Sequence, residues 1–261
     1  MRLFTSELVK KYKARTVVNH VSIDVNQGEI VGLLGPNGAG KTTTFYMIVG
    51  LIKPNEGKIF LEDNEGRVAE LTDEPVYRRA QMGVGYLAQE ASVFRRLSVE
   101  DNIRAVLEMT DFSKEYQNER VESLIEEFRL QKVRKSLGIQ LSGGERQRVF
   151  LAMLLAQNTD VVLLDEPTTY LDAHHKFELM ALLSTLKVQN KAVGIVLHEL
   201  PLAFKFCDRL LLMKNGQIMQ SGTPEELLKT GLIEHLFGVS LTPVMLLSLI
   251  HISEPTRRSY I

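Results

Sequence analysis

The feature that most constrains the fold is a glycine-rich segment between an apolar strand and a helix. Residues 29–34 form a short continuous apolar run, the pattern of a strand that is buried on both faces. Residues 35–42 then match G-x-x-x-x-G-K-[ST] in full, and residues 42–51 are predicted to form a helix. This order of strand, loop and helix predicts an α/β fold.

The chemistry of this phosphate loop (residues 35–42) is that of an anion site. Its glycines permit backbone angles that turn successive amides inward, and the helix N-terminus adds its dipole. We expect Lys41 to reach the β- and γ-phosphates of a nucleoside triphosphate, and Thr42 to supply a hydroxyl for Mg²⁺. A glycine turn with a solvated lysine is the alternative, but a chance match in such a chain is only about 1%. The predicted nucleotide-binding residues here are Gly35, Pro36, Asn37, Gly38, Ala39, Gly40, Lys41, Thr42 and Thr43.

Two acids follow a second buried strand, which is predicted over residues 160–164. Asp165 is placed to hold Mg²⁺, directly or through water, and Glu166 is placed to polarise the attacking water. Alone, they would fit a pair of solvated acids at a strand end. Beside a phosphate loop, they indicate a site that hydrolyses a nucleotide.

A second candidate anion site lies at residues 141–147, Leu-Ser-Gly-Gly-Glu-Arg-Gln. Ser142 and Glu145 have the spacing of a capping box, so a helix is expected to begin here. Its free amides would point out through Gly143 and Gly144. An ordinary capped helix is equally consistent with this segment alone. Its place between the phosphate loop and Asp165 favours the functional interpretation.

The rest of the chain alternates between strand and helix signals. A helix is expected to start at Ser98, and a hairpin is expected over residues 208–221 about Asn215-Gly216. We expect one domain over residues 1–240, with a helical subdomain inserted at about 92–158, and a tail at 241–261 that is non-native or disordered. The other predicted elements are strands in 17–25, 57–61, 84–87 and 192–197 and helices in 121–130, 176–186 and from 223.

Composition excludes several classes of function. With 31 basic and 32 acidic residues the net charge is −1, so no basic footprint for nucleic acid is present. The single cysteine, Cys207, permits no intramolecular disulfide and is interpreted as a small buried hydrophobic residue. His174 and His175 are interpreted as surface residues, because neighbouring helix positions point about 100° apart and no other metal ligand is near.

Membrane contact is expected only through a partner. No apolar run reaches the roughly 18 residues that span a bilayer, and the N-terminus lacks the apolar core of a signal peptide. We therefore expect a cytosolic protein, with any membrane role coming through a partner.

The order of these motifs resembles that of ABC transporter ATPases from Phe4 to about Val239. The resemblance implies an α/β cassette with a P-loop NTPase core, an antiparallel β lobe and a helical subdomain. It implies a homodimer that closes on two ATP molecules and drives transmembrane permease subunits. Residues 141–147 would be the signature segment, which binds the γ-phosphate of ATP held by the other copy.

The same resemblance assigns roles to single residues. Gln89 would lie in the Q-loop and link Mg²⁺ and the attacking water to the membrane partner. His198 would be the switch histidine that contacts the γ-phosphate. Residues 171 and 172, Leu-Asp, would form the D-loop, which crosses the dimer interface, and Tyr12 would stack on adenine.

Two branches of the family are represented along the chain. Residues 31–146 resemble ATPases of lipopolysaccharide export, and by that analogy Phe94, Arg95 and Arg96 are candidate contacts with the partner. Residues from about 147, notably 151–160 and 165–172, resemble ATPases of iron–siderophore importers. A chimera of two genes is therefore a hypothesis, and residues 247–257 resemble a translated sequencing adapter.

The expected function is an ATPase that powers transport, with lipopolysaccharide export ahead of iron–siderophore import. A soluble ABC ATPase of DNA repair or translation is the alternative from another class. Such proteins usually carry coiled-coil insertions or two cassettes in one chain, and neither is present in these residues. A cassette that binds ATP without turnover is disfavoured by Glu166 and His198.

Overall fold

The computed structural model describes residues 1–87, 93–169 and 171–239. Two short 3₁₀ turns, Gln131–Val133 and Gly138–Gln140, precede the signature segment. The strands are β1 (Arg2–Tyr12), β2 (Arg15–Val21), β3 (Asp24–Asn26), β4 (Ile30–Leu34), β5 (Glu56–Glu62), β6 (Val68–Glu70), β7 (Val84–Leu87), β8 (Val161–Asp165), β9 (Ala192–Val196), β10 (Arg209–Lys214) and β11 (Gln217–Gly222). The α-helices are α1 (Lys41–Val49), α2 (Val76–Gln81), α3 (Val99–Leu107), α4 (Lys114–Glu127), α5 (Gly143–Ala156), α6 (Ala173–Val188), α7 (Leu200–Phe206), α8 (Pro224–Leu228) and α9 (Leu232–Phe237).

Within these residues the central sheet has six strands in the order β11-β10-β4-β9-β8-β7. All neighbours are parallel except β10 and β11, which form the predicted hairpin about Asn215-Gly216. Strand β4 is buried on both faces, as its apolar run predicts. Ile30 and Leu34 pack into the core that faces the helices, and Val31 and Leu33 pack into the opposite core.

A second, antiparallel sheet covers that opposite core. Its strands run β2-β1-β5-β6, with β3 also paired to β1. Phe45 and Met47 of α1 are buried in this core together with Leu3 and Leu61 of the antiparallel sheet. The two sheets and α1 therefore form the α/β core and antiparallel lobe that the sequence predicts.

The sequence patterns predict no strand over residues 2–12, where the structure has β1. Its apolar alternation is interrupted because Leu8 and Val9 are consecutive and both buried. Glu7 has a positive φ of 53°, and the pairing of β1 with β2 and with β5 shifts register near it. A β-bulge of this kind breaks the period of two on which strand prediction depends.

Helices α3, α4 and α5 lie in the region predicted as helical, and their apolar faces join the larger core. Helix α3 begins as predicted, with Ser98 Oγ accepting from the Asp101 amide at 3.1 Å. Glu100 receives Arg134 Nε at 2.7 Å and Lys135 Nζ at 2.6 Å, and these cations hold its pKa well below the usual range. This cluster fastens the start of α3 to the segment after α4. The boundaries of the helical subdomain, at about 92–158, and of the whole domain, at 1–240, stay predictions.

The loop that carries the predicted partner contacts, residues 94–97, is hydrogen-bonded to residues 138 and 139, which precede the signature segment. Gly138 N donates to Leu97 O, and Ile139 N donates to Arg95 O, both at 3.0 Å. Asn102, which is fully buried, holds the same loop from inside. Its amide accepts from Phe94 N at 2.7 Å and donates to the carbonyls of Phe94, Leu97 and Ser98 at 2.8–3.2 Å.

None of the helices within residues 1–87, 93–169 and 171–239 has both the length and the apolar character needed to cross a bilayer. Cys207 is buried as predicted, and burial raises the pKa of its thiol to about 12. The predicted tail at 241–261 lies outside the described residues.

We expect Asn102→Ala to lower the free energy of unfolding by about 1–3 kcal/mol, because it leaves buried backbone groups without partners. Asn118→Ala is the matched control, since Asn118 is exposed and its side-chain oxygen accepts a hydrogen bond from the exposed end of Arg104. That change should stay within about 0.5 kcal/mol. Urea unfolding of both variants measures the difference, and equal midpoints would contradict this role for Asn102.

Candidate functional site

The phosphate loop spans the gap between the end of β4 and the start of α1. Gly35 follows Leu34, and a side chain at Gly35 would collide with the carbonyl oxygen of Met213, at 2.2 Å. The hairpin turn also supports the loop, because Gly216 N donates to Ala39 O at 2.8 Å. Asn19 N in turn donates to Gly216 O at 2.8 Å. The loop is therefore held between β10 and the antiparallel lobe.

Lys41 begins α1 and is only 5% exposed. Its Nζ donates to the carbonyls of Gly35 at 2.7 Å and Pro36 at 3.2 Å, so the side chain folds back over the loop. Burial lowers the pKa of Lys41, while the charges of Glu166 and Asp165 oppose that shift. A buried ammonium at the start of a helix is suited to bind phosphate oxygens.

The other loop residues flank this ammonium along the chain. Gly40 is the N-cap of α1, with a left-handed φ of 105°, and Thr42 and Thr43 lie half-buried in its first turn. Pro36 is half-buried, and Asn37 and Gly38 at the tip are exposed. The tip is thus open to a ligand, and the lysine lies beneath it.

Asp165 ends β8 and is completely buried. Among the described residues, neither oxygen of its carboxyl has a hydrogen-bond partner. Burial, with repulsion from Glu166, raises the pKa of Asp165 to about 6. A bare buried carboxylate is costly, and a divalent cation would neutralise it.

Glu166 follows directly and adopts a left-handed backbone with φ 46°. Its amide donates to Val196 O at 3.2 Å, and its Oε1 pairs with Nε2 of His198. His198 lies just beyond β9 and is exposed. The structure therefore places the two predicted catalytic side chains in direct contact, although they are distant in sequence.

An ion pair that the sequence interpretation missed lies beside His198 along the chain. Lys176 Nζ donates to Oε1 of Glu199 at 2.5 Å, and both side chains are half-buried. Glu199 immediately follows His198, while Lys176 lies in the first turn of α6. An acid next to His198 was the available signal, but its partner is 23 residues away in sequence.

The signature segment has the predicted capping box. Ser142 Oγ accepts from Glu145 N at 3.3 Å, and Ser142 N donates to Glu145 Oε2 at 2.8 Å. Hydrogen bonds from Ser142 lower the pKa of Glu145. Gly143 is exposed, and a side chain there would meet open space. Within the described ranges, no hydrogen bond joins this box to the phosphate loop.

Tyr12 and the predicted partner contacts at residues 94–96 are exposed at the surface. Tyr12 ends β1 with 47% of its surface exposed, and Lys10 Nζ lies 5.4 Å from its ring centroid. Phe94, Arg95 and Arg96 are exposed, as a partner surface requires. Gln89 lies outside the described residues.

The two histidines interpreted as surface residues differ in exposure. His174 is a surface residue, with a side chain that is 78% exposed. His175 is half-buried because its ring lies against Gly144 of the signature segment. Periodicity alone could not show this contact, since it joins two different helices.

Asp165→Asn should stabilise the protein above pH 6 in the absence of ATP and metal. The unfolded carboxyl titrates near 3.8 and the folded one near 6. Stability of the unsubstituted protein should therefore fall between these values, because the unfolded chain releases its proton first. The advantage of the variant should grow across this window to a value on the order of 3 kcal/mol and then level off.

Thermal unfolding between pH 4 and pH 8 measures this difference. Asp111→Asn, at an exposed position, is the control and should keep the unsubstituted profile. An Asp165→Asn offset that is constant with pH would contradict the raised pKa.

Comparison with known proteins gives concordant matches. A family model described as ABC transporter matches residues 18–169. The lipopolysaccharide export system ATP-binding protein LptB of Haemophilus influenzae is 42% identical over 239 residues, covering 91% of this chain and 97% of the relative. A probable ABC transporter ATP-binding protein of Azorhizobium caulinodans is 45% identical, covering 88% of this chain and 80% of that protein.

A solved structure extends the match to three dimensions. An ATP-binding cassette in a dimeric post-hydrolysis state, bound to ADP and phosphate, superposes with a TM-score of 0.74 at 26% identity. The match covers 85% of this chain and 98% of that one.

Proposed function

Because the chain belongs to the ABC transporter family of ATP-hydrolysing subunits, we propose that it powers lipopolysaccharide export. The observation that carries this proposal is the similarity to LptB, which is 42% identical over 91% of the chain. An alignment of that extent includes residues on both sides of position 146. It therefore supports the export assignment for the later half of the chain as well.

The chain's own residues suggest how hydrolysis would proceed. The amides of the phosphate loop and Lys41 would bind the phosphates of ATP, and Tyr12 would stack on adenine. Glu166 would accept a proton from water that attacks the γ-phosphorus as the bond to the β-phosphate oxygen breaks. His198 would hold Glu166 in place and contact the γ-phosphate. The products are ADP and phosphate.

The residues present fit a magnesium ion. Among the described residues no three His, Cys, Asp or Glu side chains form a metal cluster. Mg²⁺ is commonly held by one or two carboxylates together with substrate phosphates, and Asp165 is an uncompensated carboxylate beside the loop. Thr42, Asp165 and Gln89 would supply the protein ligands. The ion would neutralise charge on the phosphates.

The signature segment would serve a second copy of the chain. Its capping box exposes the first turn of α5 with Ser142, Gly143, Gly144 and Glu145, which would meet ATP held by the other phosphate loop. The solved relative bound to ADP and phosphate is a dimer. Two copies would close head to tail and drive permease subunits through the surface at Phe94, Arg95 and Arg96. The complex would lie on the cytoplasmic face of the inner membrane.

A second candidate is the ATPase of an iron–siderophore importer. It is favoured by the similarity of residues 151–160 and 165–172 to that branch, from which the chimera hypothesis also comes. The export assignment is preferred because the exposed surface for the partner lies in the export-like part.

Glu166→Gln should lower steady-state phosphate release by about a hundredfold to ten-thousandfold, the usual contribution of a general base. ATP binding should persist, because the loop and Lys41 are intact. Glu225→Gln, an exposed acid on α8, is the control and should keep full activity. Unchanged release by Glu166→Gln would overturn the assignment of the base.

The transported substrate class can be tested by co-purification. The tagged chain should retain the membrane subunits of lipopolysaccharide export when they are co-expressed, and should not retain those of iron–siderophore import. The substitution Phe94→Asp should release the export subunits while ATPase activity of the free cassette persists. Retention of the import subunits alone would reverse the assignment, and retention of neither would favour a soluble ATPase.

A further inference from the structure

The first turn of α6 joins the two segments that are expected to face the other copy. Asp172 of the D-loop caps this helix, and its Oδ1 accepts from the amide of His175 at 2.9 Å. Its Oδ2 lies 2.8 Å from Nδ1 of the same residue. Both bonds lower the pKa of Asp172, so its carboxylate is held in the charged form. One hydrogen bond therefore holds the backbone of His175 to the D-loop, and the other holds its imidazole.

The opposite edge of that imidazole lies against the signature segment. A side-chain carbon placed on Gly144 would come within 2.9 Å of Cδ2 and 3.0 Å of Nε2 of His175. Only a glycine permits so close an approach without displacement of the ring. The ring is therefore inserted between the D-loop and the first turn of α5.

One hydrogen bond and one cavity lie beside this junction. Gln147 Nε2, in the signature segment, donates to the carbonyl of Pro167 at 3.1 Å. A cavity of about 350 Å³ lies between α5 and α6, and its walls include Gln147 and Leu151 on α5 and Leu179 and Leu182 on α6. The contact between His175 and Gly144 therefore acts together with this hydrogen bond in holding the signature segment at this end of the cavity.

The neighbouring histidine shows that this arrangement is specific to position 175. His174 is mostly exposed and pairs with Glu178, one turn along the same helix, at 3.4 Å. Successive helix positions point about 100° apart, so one ring is directed at the signature and the other at solvent. The pair therefore provides a matched test site and control.

We propose that His175 is a positioning residue that fixes the D-loop and the signature segment relative to each other. Each protomer then presents both segments to its partner's ATP in a single arrangement. This inference rests on the proposed composite site between two copies. Its physical benefit is preorganisation, because segments already fixed lose less conformational freedom when the copies close.

The test uses the full chain in a Glu166→Gln background, in which ATP is retained. His175→Phe keeps a ring against Gly144 but loses the bond to Asp172. His175→Asn keeps a short donor near Asp172 but loses the ring. Sedimentation with ATP should show dimerisation weakened about tenfold in both, the effect expected from loss of one such contact. His174→Ala should dimerise like the parent.

Two further measurements separate positioning from general damage. Binding of a fluorescent ATP analogue at protein concentrations below dimerisation should be unchanged, because each protomer's own loop is intact. With Glu166 restored, the variants should show a raised KM for ATP and a nearly unchanged kcat. A thermal midpoint equal to that of the parent shows that the fold is preserved.

The outcomes distinguish the positioning role of His175 from the composite site on which that role rests. Dimerisation within twofold of the parent for both His175 variants would overturn the positioning role and leave the composite site intact. A weakened protomer affinity for ATP would also overturn it, since the defect would then lie in the variant's own site. Failure of the Glu166→Gln parent to dimerise with ATP would overturn the composite site itself.

Discussion

Three charged side chains share one poorly hydrated space at the ends of β4 and β8. Lys41 is held by loop carbonyls, Asp165 is buried without a partner in the described part of the chain, and Glu166 is paired with His198. Burial opposes the charged form of both Lys41 and Asp165. The rest of the fold holds these groups together against that cost. The sheets exclude water, and β10 with its hairpin fixes the loop.

Ligand binding would stabilise such a site. The phosphates of ATP would satisfy the ammonium, and a divalent cation would neutralise the carboxylate. Binding would therefore offset the electrostatic cost of burying Lys41 and Asp165, in addition to forming new contacts. For this reason, the positions of β4 and the phosphate loop constrain the elements that pack around them.

Features that depend on nearby residues were predictable from sequence. The strand before the phosphate loop, the capping box at Ser142 and the Asn215-Gly216 hairpin each follow from chemistry within a few positions. Strand β1 was less predictable, because its bulge disrupts the alternation. Contacts made across the fold, such as that of His175 with Gly144, have no local signal. The same holds for the raised pKa of Asp165, which arises from burial.

The left-handed backbone at Glu166 links backbone strain to a side-chain contact. A glutamate is rarely found at φ 46°, where asparagine or glycine is more readily accommodated, and a strained position of this kind costs on the order of 1–3 kcal/mol. A residue that relaxed this backbone would also remove the carboxylate that pairs with His198. The strain and the contact therefore cannot be separated by a single substitution at this position.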